Sequence, residues 1–283
     1  MKHKILITVL FVLSYAAYAL QWPVDIEYMT SSFLEERSGT VQSGLVFEGY
    51  DSMRPYDYGE TIFRYVPEAY GALPGEGDSM LVLEHENGFQ SIYSGISPSE
   101  ARQDRNRLSA GEYLKAPSED NEFSTCYFYI RDAHLNQLVN PMILLPVPDD
   151  SVIPLIKSVI LMDGDRSFEL MGGMKDRSMP VGNYEVFVKA VDMTNRAVIQ
   201  MPYSYALYNL GSLLLERELD ALVLKDAQRV FKDGKTLDSV FSMPSYLSLG
   251  EIILTSGQAL LEISVTDIHG NEGSRSFQLQ VFR

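Results

Sequence analysis

The chain has 283 residues, of which 46% are apolar, with a single cysteine and a formal net charge of −15. That acidity repels phosphate polyanions and anionic lipid headgroups, which proteins bind mainly through Lys and Arg, so nucleic acid is excluded as a partner. One cysteine excludes an internal disulfide, so the fold must rest on a hydrophobic core, which the apolar fraction can supply; the length favours two domains.

In chain order the first element is a leader. Met1-Lys2-His3-Lys4 is basic, and the apolar run from Ile5 ends in Ala17-Tyr18-Ala19. A charged start, a short apolar stretch and a small-x-small ending describe a secretory signal peptide over residues 1–19, cleaved before Leu20. The run falls short of the ~20 residues that span a bilayer, so no membrane span is expected after cleavage. The protein is therefore expected to be exported, to the periplasm or beyond the cell. Loss of Lys2 and Lys4 would leave 21 basic against 38 acidic residues. The acids are spread along the chain and read as solvated surface, adjacent pairs such as Glu35-Glu36 and Asp149-Asp150 included.

Past the leader, apolar residues rarely recur at helical spacing. Short β-branched and aromatic runs occur instead at Thr61 to Tyr65, Met80 to Leu83, Ser91 to Tyr93 and Cys126 to Ile130, each bounded by Gly, Pro, Asn or Asp. This is the pattern of an antiparallel β domain. Asn87-Gly88 between two of the runs predicts a hairpin turn. The stretch Gly71-Ala72-Leu73-Pro74-Gly75-Glu76-Gly77 is glycine-rich but acidic and lacks a P-loop lysine, so it reads as an exposed loop. Pro146 to Pro154 holds three further-stiffening prolines and two acids and predicts an interdomain linker, with the boundary near residue 149.

Beyond the linker, strands are expected at Lys157 to Met162, Tyr184 to Val191, Ser204 to Leu210, Ile252 to Thr255, Leu260 to Val265 and Ser276 to Phe282. Short strands at turn-punctuated spacing predict a β-sandwich over residues 149–283. Ala221 to Val230 is expected as a short helix inserted in it. The ending from Leu261 to Asp267, followed by His269-Gly270-Asn271, resembles the last hairpin of immunoglobulin-like bacterial modules.

Candidate chemistry is sparse. Cys126 sits in an alternating strand, where a lone thiol is a small core residue. There is no G-x-S-x-G or comparable nucleophile signature. His134 and His269 fall in loops. Tyr50, Tyr56, Tyr58, Tyr65, Tyr70, Tyr93, Tyr127 and Tyr129 crowd the first half; tyrosine couples apolar area to a polar tip and suits glycan or peptide contact as well as a core.

Seven pieces in register carry a resemblance. They are Trp22-Pro23-Val24, Met29-Thr30-Ser31-Ser32-Phe33, Gln42-Ser43-Gly44-Leu45-Val46, Gly59 to Phe63, Leu81 to Phe89 with Ser91 to Ile96, Thr125 to Arg131, and Val139-Asn140-Pro141. Their order and spacing resemble the lysostaphin/LytM-type zinc endopeptidases of peptidoglycan across about 125 residues, 20–148 in domain terms. The resemblance implies a mainly β protein, a LytM-like antiparallel sheet of the duplicated hybrid motif type followed by the immunoglobulin-like sandwich. In that family H-x-G-x-D supplies a zinc-binding His and Asp, and here Gln42 and Val46 stand in their places around Gly44. The later H-x-H, a catalytic His and the third ligand, aligns with Thr125 and Tyr127, and the other catalytic His aligns with Gly95.

All five functional positions are thus replaced. Gln offers only an amide, Val offers nothing, and Tyr ionises near pH 10, so zinc, the cofactor implied by the family, is not expected to bind. Without it no water is acidified and no carbonyl polarised. His85, Tyr93 and Tyr129 are expected to line the emptied groove, His85 as the turn histidine of the family's H-x-N-G segment. Family members that have lost their ligands act as regulators of cell-wall amidases, so the resemblance implies a non-catalytic partner of peptidoglycan or of a cell-wall hydrolase. The alternatives are a hydrolase with a relocated site and a structural or adhesive envelope protein.

Overall fold

The structure is a computed structural model that describes residues 20–37, 39–66, 79–97, 99, 105–110, 112–115, 125–170, 177–195, 199–226 and 228–283. The expected signal peptide and the glycine-rich loop at 71–77 lie outside the described residues, as does Tyr70.

The chain is mainly β. Its first half contributes β1 (Met29–Ser31), β2 (Glu36–Arg37), β3 (Thr40–Val41), β4 (Leu45–Glu48), β5 (Gly59–Tyr65), β6 (Ser79–Glu84), β7 (Phe89–Ile96), β8 (Arg107–Leu108), β9 (Thr125–Asp132) and β10 (Gln137–Val139). The second half adds β11 (Leu155–Asp163), β12 (Arg166–Leu170), β13 (Arg177–Pro180), β14 (Gly182–Met193), β15 (Ile199–Gln200), β16 (Ser204–Asn209), β17 (Ser212–Glu218), β18 (Ala221–Lys225) and β19 (Gln228–Val230). After the four-residue helix α1 (Leu237–Val240) come β20 (Leu247–Leu254), β21 (Gly257–Thr266) and β22 (Glu272–Phe282).

Period-two alternation builds the first sheet. Along β9, Cys126, Phe128 and Ile130 are buried while Thr125, Tyr127 and Tyr129 are half-exposed. The inward set packs with Leu45, Phe47, Leu81, Leu83 and Tyr93 into one core, as successive side chains on opposite faces require. Cys126 is a buried thiol of that core. The turn at Asn87-Gly88 joins β6 to β7 with Leu83 opposite Ser91, and Gly88 takes φ 81, a conformation that glycine adopts without steric cost.

The second half forms two five-stranded sheets, β12-β11-β14-β15 with β20 on β14, and β13-β22-β21-β16-β17. Their inner faces meet in a second core that includes Tyr184, Val186, Val188, Leu249, Ile263, Phe277 and Leu279. β13 runs parallel to β22, and the other ladders of the two sheets are antiparallel.

Two expectations meet a different outcome. Residues 221–230 are a hairpin and not a helix: Val223 pairs with Val230 and Lys225 with Gln228, with Asp226 at φ 49 in the turn. Leu222 then pairs with Leu138 of β10, so an open sheet edge offers this segment a ladder that local helix propensity cannot outweigh. The linker at 146–154 separates two cores but not two sheets. The first sheet runs β19-β18-β10-β9-β7-β6-β5-β8, taking two strands from beyond the boundary, and Phe33, Leu34 and Leu138 of the first half belong to the second core. Polar ties repeat the junction: Asn140 Nδ2 donates to Leu219 O at 2.9 Å and Met201 N to Ser32 Oγ at 3.0 Å.

Candidate functional site

β4 and β9 bring together most of the positions expected to be degenerate. Val46 lies directly opposite Tyr127, and Thr125 opposite Glu48. On the other side of β9, Ser94 of β7 pairs with Tyr127, which sets Gly95 beside it. Gln42 precedes β4; its backbone N–H donates to Glu35 O at 3.0 Å and its side-chain amide turns to Thr40 O at 3.3 Å.

The donor set does not fit zinc. Val46 is buried and presents only methyl groups. Arg37 forks onto both oxygens of Glu48 at 2.9 Å and donates to Thr30 Oγ1 at 2.7 Å. The Glu48 hydrogen bond is the largest influence raising the guanidinium's pKa, and Tyr127 and Glu35 also raise it. Both oxygens of Glu48, the carboxylate opposite Thr125, are thus taken up by a guanidinium. At Gly95 φ is 77, and a Cβ there would lie 3.1 Å from both Thr125 O and a Tyr127 ring carbon. No histidine could occupy that residue without strain and a shift of β9.

The face that carries these positions is built from cross-strand rows. Phe63 pairs with Val82, Val82 with Ile92 and Ile92 with Tyr129. Beside that row, Tyr65, Met80, Ser94, Tyr127 and Val46 form another. Directly opposed residues share one face, so the two rows make a shallow apolar and aromatic surface on which Phe63 is 50% exposed.

One end of the surface is closed in cis. Tyr129 is half-buried and packs against the second core. Arg229, on β19, donates to Ser43 Oγ at 2.5 Å. Burial raises the Tyr129 hydroxyl pKa, with Arg229 as the chief opposing influence.

His85 and Tyr93, expected in the groove, lie on the opposite face. Tyr93 is fully buried and its hydroxyl accepts the Tyr56 backbone N–H at 2.7 Å. The reason is register: Tyr93 pairs with Leu81 and Phe128, which point into the core. The His85 ring is buried, with Nδ1 2.8 Å from Tyr58 O and Nε2 2.8 Å from Ser91 Oγ. A carbonyl can only accept, so Nδ1 carries the proton and Nε2 accepts from Ser91. The ring is a structural crosslink, and burial lowers its pKa from the ordinary 6.5.

The folded state therefore binds fewer protons at this ring than the unfolded chain does. Its contribution is intact above about pH 6.5 and is lost as pH falls toward the folded value. Urea midpoints measured from pH 7.5 down to 5 should fall more steeply for the natural chain than for His85→Gln. Parallel curves would assign the acid sensitivity to other groups.

A separate cluster gathers at one end of the second half. Ligand atoms of Asp150, Asp267 and His269 lie within 4.8 Å of one another. Asp150 Oδ1 accepts the backbone N–H groups of Val152 at 3.1 Å and Asn195 at 3.0 Å, so this acid is a structural anchor and not the solvated residue that its sequence context suggests. Asp267 Oδ1 accepts from His269 N and Asn271 N, both at 2.8 Å. Glu35 and Glu36 are likewise engaged, accepting from Ser32 N and Ser245 N.

Sequence reasoning missed Arg37, Glu48, Arg229 and Phe63 at the first site and the whole second cluster. Strand alternation placed Phe63 on a strand but not on a face, and nothing local signals that Asp150, Asp192 and Asp267 converge.

A family model of unknown function matches residues 153–282, starting at the end of the linker. A protein of Treponema pallidum (strain Nichols), described as uncharacterized, is 32% identical over 95 residues, covering 30% of this chain and 65% of that relative's length. The chain thus spans just under two thirds of that relative. Among the described residues no helix is long and apolar enough to cross a membrane.

Proposed function

We propose that the chain is an exported, non-catalytic LytM-like pseudo-peptidase of the cell envelope, carrying an immunoglobulin-like sandwich and binding peptidoglycan or a cell-wall hydrolase. The observation that carries this proposal is the backbone at Gly95 together with the Arg37–Glu48 pair. The first makes a histidine at that residue strained, and the second occupies the carboxylate opposite Thr125 with a guanidinium; both support a non-catalytic reading. What remains is a surface of Phe63, Ile92, Tyr127 and Tyr129 on which a peptide stem or a partner segment could lie uncut. Aromatic side chains there supply large contact area at low entropic cost.

The test combines binding and turnover. Purified protein, dialysed against chelator, should hold no stoichiometric zinc, release no muropeptides and still be retained on intact sacculi or on a hydrolase-loaded resin. A Phe63→Ala, Tyr127→Ala double variant should bind at least ~10-fold more weakly, the scale of one lost aromatic anchor. Chelator-sensitive release of muropeptides would establish a hydrolase instead, and undiminished retention of the double variant would move binding to the sandwich.

A further inference from the structure

At the junction between the linker and the sandwich, several buried oxygens face no hydrogen-bond donor. Asp150 Oδ2, Asp192 Oδ1 and Gln200 Oε1 are all inaccessible and unpartnered. Asp192 is fully buried and Gln200 95% buried, and they are cross-strand neighbours on β14 and β15. Gln200 Nε2 donates to Asp192 Oδ2 at 2.6 Å, which fixes the amide with its oxygen free. Asp267 is also buried, and its Oδ2 accepts only Asn271 Nδ2, at 2.7 Å. Asn271 Nδ2 also reaches Asp150 O at 3.2 Å, tying the last turn to the linker.

These groups share a chemistry. Every unpartnered atom just named is an acceptor, and three of the side chains are carboxylates. Among the described residues none of the three forms an ion pair with Lys or Arg. Asp192 stands close enough to the others that Asp267 and Asp150 add to the effect of burial, the largest cause, in pushing its carboxyl up to about 6. Burying carboxylates without a counter-charge is costly. An anionic cluster of oxygens calls for a cation, and the spacing at Asp150, Asp267 and His269 suits one. Ligand atoms on opposite sides of calcium, at 2.3–2.6 Å each, are about 4.6–5.2 Å apart, and the cluster's atoms fall within 4.8 Å.

We infer that Asp150 and Asp267 bind a calcium-type divalent cation, with the exposed His269 at the rim and the buried Asp192 carboxylate adding negative charge nearby. A hard cation matches the carboxylate oxygens better than a borderline metal such as zinc, for which one histidine would be a thin donor set. Bound there, the ion clamps the linker at Asp150 to the turn after β21. It would hold fixed the passage between the two cores.

The experiment uses the full exported chain, stripped with EDTA and titrated with calcium chloride by calorimetry and by thermal melting. One calcium per chain is expected. At about 10 mM, some hundred times a Kd near 10⁻⁴ M, the folded-to-unfolded ratio rises about 100-fold, a gain of roughly 5–10 °C in midpoint. Asp150→Asn keeps Oδ1 for its two backbone donors and replaces Oδ2 with an amide nitrogen. Its midpoint should be the same with and without calcium, whatever that midpoint is in EDTA. Absence of any calcium-dependent shift in the natural chain would overturn the inference, as would an undiminished shift in Asp150→Asn. A response to zinc alone that His269→Ala abolishes would also overturn it.

Discussion

A fragment ending at residue 148 is expected not to fold as an independent domain. Removing the second half strips β18 from β10 and uncovers Phe33, Leu34 and Leu138. Exposing three such side chains costs about 4.5–9 kcal/mol at roughly 1.5–3 kcal/mol each, an upper bound because the unfolded chain already buries part of that surface. The total is of the order of a whole domain's stability, about 5–15 kcal/mol. The bared β10 would also present unpaired backbone groups, an invitation to aggregate. Expressed alone, residues 20–148 should be insoluble or should lack a cooperative urea transition. A monomeric fragment with a sharp transition near that of the full chain would show that the junction is dispensable.

Alanine at Gly44 should destabilise the chain by about 2–3 kcal/mol. A Cβ there would overlap the backbone oxygen of Phe128 and lie 2.6 Å from a Tyr129 ring carbon. Backbone cannot swing aside as a side-chain tip can, so the start of β4 would have to lift from β9. That movement would loosen the Leu45–Phe128 and Val46–Tyr127 pairs together with the Arg229 to Ser43 contact next door. Urea denaturation measures the cost directly; a change below ~0.5 kcal/mol would mean that the close approach is soft. Gly44 thus has a packing role of its own.

Both results turn on contacts between strands far apart in sequence, and that is where sequence and structure part. The β character of the chain was legible because alternation is a local property: Cys126, Phe128 and Ile130 against Thr125, Tyr127 and Tyr129 read out β9 residue by residue, and Asn87-Gly88 marked the turn between β6 and β7. The same logic failed at 221–230, where Ala, Leu, Lys and Gln favour a helix locally but β10 offers a ladder. It also misplaced His85 and Tyr93, since alternation says which residues share a face without saying which face is the core. Tyr93 needed its pairing with Leu81 and Phe128 to be placed.

The candidate site divides in the same way. Sequence alone determined that Gln42, Val46 and Tyr127, and likewise Gly95 and Thr125, offer no histidine or carboxylate, because a residue's donor atoms are fixed by its identity. Only the tertiary structure decided what surrounds them: Arg37 bonded to Glu48, a left-handed backbone at Gly95, and a hairpin from the second half laid against Tyr129. Those outcomes depend on contacts between segments far apart in the chain. So does the gathering of Asp150, Asp192 and Asp267, whose spacing in sequence carries no period. Composition and alternation act through neighbours along the chain, whereas convergence is set by which strands pair and which faces they bury.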